Sequence, residues 1–401
     1  MSLIKYGVRI TKRYVLESIL LFWFFLTLYF VFSSLIPGYV ISSSDYRPVT
    51  QASFNFVIAI TLILSSVYLD RTNKLVLIRT SSIITILMTI LLFFAPNDIL
   101  RMAALIVIGM SFSLGILGFF THFWEITVPE ERGRISGLIG FVALPFNFIT
   151  ANLVAPGLDF LGATILSIIF SLGIIVIVSL KSEKAVLTTE KNEERNYFEK
   201  RTIFLYSIPW VLFSLINWTL ARNASVIVSQ QVSSSFYFSL LGLQILGGIF
   251  GSIIGGIAAD FFGRRLSLGF SITLYGISTA LLGVFTSKEV LSFVYALNGL
   301  SWGFLFILYI FVVWSDLANK DNCAKMYSIG LATYYLTLGI GLLMQIYLSI
   351  AISSLLICLT VFISNISILI APELLSPYFR ERMKMRLHMK AVKKISKQSK
   401  N

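Results

Sequence analysis

The chain has 401 residues, 57% of them hydrophobic and 13% charged, with mean hydropathy +0.86 and formal net charge +13. Soluble domains carry about 25% charged residues, so this composition excludes a soluble globular protein of this size. The cysteine count of 2, Cys323 and Cys358, excludes a disulfide framework or a thiolate metal site.

Apolar runs near the bilayer-crossing length of about 20 residues recur along the chain. The ten-residue alternation of a membrane barrel is missing, which leaves helices as the spanning elements. The first run, 14–36, follows Lys5, Arg9, Lys12 and Arg13 and is too long for a signal segment. Runs at 50–69, 75–95, 99–121, 134–155 and 159–180 follow. They are parted by Pro37-Gly38 to Arg47, a loop at Asp70, Pro96-Asn97-Asp98, the turn from Pro129 to Arg134, and Pro156-Gly157. Lys181 to Arg201 is a mixed-charge linker that cannot enter lipid. Six more runs lie near 202–221, 235–259, 266–286, 290–313, 325–348 and 352–371, the last cut resting on length and on Ser349 to Ser354.

The expectation is an all-α integral membrane protein with twelve spans in two six-helix bundles. The domains are 1–180, a linker 181–201, a second bundle 202–371, and a basic tail 372–401. Twelve spans put both termini on one side. Of the 32 Lys and Arg residues, all but Arg47, Arg101, Arg222 and Lys288 then fall on that side, which the positive-inside rule makes cytoplasmic. This sorting accounts for the net charge without nucleic acid. The basic tail is expected to touch anionic lipid; the protein is further expected in the cell membrane and as a monomer.

An internal repeat appears at an offset of 190 residues. Asp70 maps to Asp260, Lys74 to Arg264, Trp124 to Trp314 and Gly140 to Gly330. Parallel six-span repeats are a transporter architecture. At these residues the chain resembles the major facilitator superfamily. That family carries G-x-x-x-D-R-x-G-R-K/R between spans 2 and 3 and a weaker copy between spans 8 and 9. Here the second copy is the fuller one: Gly256, Asp260, Gly263, Arg264 and Arg265, with Phe261 for the usual Arg. The first keeps Asp70, Arg71 and Lys74 and departs at Ser66, Asn73 and Leu75; Asn73 is read as standing in for glycine in a left-handed turn. Glu125 and Arg132 match the family's E-x6-R pattern, whereas the second half has Ser315 and Asn322 there.

The resemblance implies alternating access governed by two cytoplasmic latches. Asp70 is expected near Ala324 to Met326, and Asp260 near Arg134 to Ser136. Arg71, Lys74, Arg264 and Arg265 would neutralise the acids, Gly263 would shape the turn, and Glu125 with Arg132 would extend the network.

No Asp, Glu, Lys, Arg or His lies near the middle of any run; Glu17, His122 and Glu125 lie toward the cytoplasmic ends. Intramembrane ionisable groups mark proton relays or counter-ions, so a neutral or amphipathic solute is expected. The alternatives are proton coupling through those gate-proximal groups, as symporter or efflux antiporter, or a non-transporting sensor on the same fold. Substrate-site candidates are Asn147, Asn152, Asn217, Trp218, Gln244, Asn298, Trp302 and Gln345. Against each stands a plain interhelical hydrogen bond, worth about 0.6 kcal/mol in membranes. Asn298 with Trp302 ranks first, because the resemblance places span 10 on the cavity. The stripe Gly247, Gly251, Gly255 reads as packing within the second bundle. Asn223-Ala-Ser225 is an outward glycosylation pattern. No catalytic constellation, metal set or cofactor motif is present, so no enzyme is expected.

Overall fold

The computed structural model describes residues 12–40, 47–154, 157–180, 200–221, 228–229, 232–281, 287–344 and 350–375. Twelve long helices run in order: α1 (12–40), α2 (Arg47–Leu69), α3 (Lys74–Phe94), α4 (Asp98–Ile126), α5 (129–154), α6 (Phe160–Ser179), α7 (200–221), α8 (Ser234–Phe262), α9 (Arg264–Leu281), α10 (Lys288–Leu317), α11 (Cys323–Leu343) and α12 (Ile350–Ile370). They form two pseudo-symmetric six-helix bundles, α1–α6 and α7–α12. Among the described residues nine helices are long and apolar enough to cross a membrane. The remaining three are α5 and α9, which open on charged residues, and α12, whose apolar stretch is shorter.

The helix ends follow from local chemistry. Asn97 caps α4 by accepting the Leu100 N–H at 2.9 Å, and Pro129 opens α5 where a missing N–H costs nothing. Asn73 caps α3 by accepting from the Leu75 and Val76 N–H groups. Its φ is −70°, so the expected left-handed turn is absent: the side chain works as a cap, not as a glycine substitute. Gly263 does hold φ +97°, and there the α8 helix stops. Lys200 and Arg201, read with the linker, already belong to α7. The rest of the linker, Asn223, Gln345, the Asn152 side chain and the tail beyond 375 lie outside the described residues.

α1 begins on one face of the layer, the near face, and α12 returns to it. The bundles meet chiefly along two seams, α2 with α11 and α5 with α8. The second seam adds to the reading of the glycine stripe. Gly247, Gly251 and Gly255 do pack on α10, at Ala296, Leu300 and Phe304. But the adjoining Ser252 and Gly256 pack across the bundle boundary, on Gly133 and Gly137 of α5. One helix of small residues thus serves both an internal contact and the seam.

Candidate functional site

Where the α5–α8 seam reaches the near face, charge is buried. Asp260, fully buried at the end of α8, accepts the Gly133 N–H at 3.0 Å and the Arg134 N–H at 2.9 Å. These N–H groups belong to the fifth and sixth residues of α5, close to its N-terminal end, where the helix dipole favours an anion. The Asp260 carboxylate also takes Arg134 Nε at 3.0 Å and Arg264 NH1 at 2.7 Å. Arg264 in turn donates to Asp316 at 2.8 Å and to the Pro129 carbonyl at 2.6 Å. Arg132, also fully buried, pairs with the other Asp316 oxygen and with Thr127. Asp316 therefore bridges an arginine of each bundle.

Two acids here were not singled out in the sequence. Asp316 takes the place expected for Glu125, which pairs instead with His122 at 3.6 Å and is half exposed. Asp316 sits one residue beyond Ser315, the repeat partner of Glu125, so the offset of 190 passes it by. Glu373, just past α12, accepts the N–H groups of Arg264 at 2.8 Å and Arg265 at 3.2 Å. It caps α9, and a Cβ at Gly263 would stand 2.6 Å from its carboxylate. Arg265 does not reach the latch acids; its guanidinium lies against the Leu369 and Ala371 carbonyls. An acid opening a basic tail was the available signal for Glu373.

The other seam closes more lightly. Asp70 accepts the Ala324 N–H at 2.8 Å, at the first turn of α11. Lys74 does not meet this carboxylate; its ammonium caps α2 through the Leu69 and Asp70 carbonyls, at 2.6 and 2.9 Å. Arg71 is exposed. Burial pushes the Asp70 carboxyl above its ordinary range, with Asp321 and Glu125 adding to the rise and the Ala324 N–H and Lys74 opposing it. An acid with raised pKa when closed binds its proton more tightly there than in water. As pH falls from that raised value toward the ordinary carboxylate value near ~4, closing takes up a proton. Acid is thus expected to favour the closed seam and alkali to release it. The check is maleimide labelling of Cys323, buried at this seam, in a Cys358→Ser background. The pH-dependent part of its protection should vanish in Asp70→Asn, with the two proteins compared at each pH to cancel thiol ionisation.

Beneath this charge layer lies a plug of rings. Phe311 of α10 projects into the first bundle, 4.8 Å from Phe22, 5.0 Å from Phe120 and 5.1 Å from Phe123. Tyr327 of α11 stacks on Phe120 at 5.3 Å. Trp124 donates to the Ser315 carbonyl across the boundary at 3.0 Å. Charge, rings and backbone contacts together seal the near face.

The interior candidates separate. Asn298 is 2% exposed and fully used: it accepts from Gln244 at 2.8 Å and donates to Ser278 and Thr279 at 3.2 and 2.9 Å. The pair Asn298–Trp302 is therefore divided, with Asn298 tying α8, α9 and α10 together while Trp302 stays half-buried on Phe306. Asn217 accepts from Tyr275 at 2.9 Å. Asn147 keeps a buried carbonyl oxygen with no hydrogen-bond partner among the described residues. Glu17 is held by Arg13 at 2.8 Å near the near face. No group of His, Cys, Asp and Glu among the described residues could hold a metal ion.

Two bundles with a repeated acid at each seam define a multi-pass helical membrane fold. The fold is that of the major facilitator superfamily, as three solved structures attest. The proton:xylose symporter XylE, bound to 6-bromo-6-deoxy-D-glucose, matches with TM-score 0.67 and 12% identity over 90% of this chain and 96% of its own. The transporter FucP in its outward conformation matches with TM-score 0.64 and 11% identity over 87% and 98%. The human organic anion transporter MFSD10 gives TM-score 0.65 and 11% identity over 88% and 99%. Residues 184–352 match the family model described as sugar (and other) transporter. No curated protein matches the chain in sequence.

Proposed function

We propose that the chain is a secondary or facilitative transporter that moves a small neutral or amphipathic solute by alternating access. The near face is cytoplasmic in this reading, since Arg71, Lys74, Arg79, Arg132, Arg134, Arg264, Arg265, Lys320 and Lys325 lie on it while Arg47, Arg101 and Lys288 lie opposite. Both chain termini then lie in the cytoplasm.

The observation that carries the reading is the pairing of Asp70 with α11 and of Asp260 with α5. Two acids, equivalent by repeat, each meet backbone N–H groups near the N-terminal end of a helix in the opposite bundle. Anchoring a loop at a membrane surface needs no acid. A contact that must form in one state and part in another does, because water can replace it at little net cost. The conformation described is closed toward the cytoplasm, so the solute site opens outward.

Flux into proteoliposomes tests this, with neutral sugars, amphipathic compounds and organic acids, each with and without a pH gradient. Equilibration without accumulation is the expected result, given the uncharged interior. Gradient-driven accumulation would instead assign coupling to Glu17, Glu125 or His122.

A further inference from the structure

Tyr334, at the middle of α11, is the hub of a ring cluster. Trp218 stands 5.6 Å from it, Trp210 5.9 Å and Phe306 6.1 Å. Trp302 lies flat on Phe306 at 4.9 Å and 13°. The next residue, Tyr335, meets Tyr29 of the first bundle at 5.3 Å, so the cluster reaches the boundary between bundles. Tyr334, Trp302, Trp218 and Tyr29 all stay half-buried. Their rings touch inward-lying helices, which sets them apart from lipid-facing aromatics.

The polar groups nearby are partly engaged. Asn298 has neither donor to spare, Gln244 donates to Asn298, and Asn217 accepts from Tyr275. Buried donors without a hydrogen-bond partner among the described residues include the Trp218 indole N–H and the Tyr309 hydroxyl. Tyr309 stacks on Trp210 at 4.7 Å, on the same cluster.

This inventory discriminates among solutes. A polyhydroxylated sugar brings several hydroxyls, each of which loses affinity when buried without a partner. A carboxylate or ammonium solute needs a counter-charge that no mid-span residue supplies. A flat uncharged ring needs neither. It finds ring faces for offset or edge stacking, and one acceptor atom on it suits an unpaired N–H or O–H.

Resting on the transport reading, the geometry points to an uncharged planar aromatic or heteroaromatic solute bearing a carbonyl acceptor, stacked against Tyr334, Trp302 and Trp218. None of these residues takes part in the near-face closure.

The experiment is equilibrium binding and counterflow with the full chain, using tritiated nicotinamide, benzamide and uracil beside D-xylose and benzoate. At least one uncharged ring probe binds, and D-xylose and benzoate do not. Trp302→Leu and Tyr334→Leu each weaken that binding by about tenfold or more, while Tyr334→Phe, which keeps the ring, stays within about threefold. Thermal unfolding of each variant separates lost binding from lost fold. Binding of D-xylose or benzoate without any ring probe overturns the inference, and so does failure of all three ring probes. Counterflow of D-xylose alone would leave transport standing and remove the aromatic class. Ring binding without exchange of any solute would keep the site and remove transport.

Discussion

Asp260→Asn is expected to open the near face, raising maleimide labelling of Cys323 in the Cys358→Ser background by about a hundredfold or more. The reasoning starts from burial. Asp260 and Arg264 are both fully buried, and the acid answers two backbone N–H groups and two guanidiniums. Removing one partner of such a buried set leaves cationic charge uncompensated, which costs about 3–5 kcal/mol. The cost falls on the closed state, because parting of the bundles would give Arg134 and Arg264 to water. Each ~1.4 kcal/mol is tenfold in population, so the closed state should lose its majority. Asp70→Asn should do much less. That carboxylate is partly exposed and meets one N–H, and an amide oxygen can still accept it, so a change of about 1 kcal/mol or below is expected. Equal labelling in Asp260→Asn and the parent protein would remove the buried network from the switching mechanism.

The contrast between the two seams shows what the sequence could and could not convey. Composition fixed the class, the spacing of 190 residues paired the two acids, and the family resemblance pointed to the helices they meet. Partners lying off the repeat were invisible. Asp316 is displaced by one residue from the repeat position of Glu125, and one residue is about 100° around a helix, enough to choose a different arginine. Glu373 lies beyond the last span, where a basic run reads as an anchor and hides a single acid. The interior was harder still. A polar residue in an apolar span satisfies the same pattern whether it faces a cavity or a neighbouring helix, and Asn298 proved to face neighbours. Ring clusters pose the same difficulty: Tyr334 gathers rings from α7, α10 and α11, and no periodicity within one helix records such a meeting.

Gly256→Ala provides the second large effect, and it separates seam from bundle. A Cβ at Gly256 would collide with the Gly133 carbonyl oxygen and stand 2.9 Å from the Gly137 Cα, both backbone atoms of α5 in the opposite bundle. Backbone cannot swing aside as a side chain can, so α5 and α8 must separate for the methyl to fit. Separation also pulls Asp260 from the Gly133 and Arg134 N–H groups, so the steric and electrostatic costs add. The variant should therefore fold with both bundles intact, label freely at Cys323, and fail to close the near face. Gly251→Ala makes the comparison. Its Cβ would strike the Leu300 carbonyl oxygen of α10, inside the second bundle, a contact needed in every state. That change should lower the thermal midpoint by several degrees, as overpacking of about 1–3 kcal/mol does, with little preference between open and closed forms. Gly242→Ala, whose Cβ meets nothing within 4 Å, should leave both readouts at the parent value. If Gly256→Ala instead tracked Gly251→Ala, losing stability without added labelling, the α5–α8 contact would be permanent, and the bundles would part only along α2 and α11.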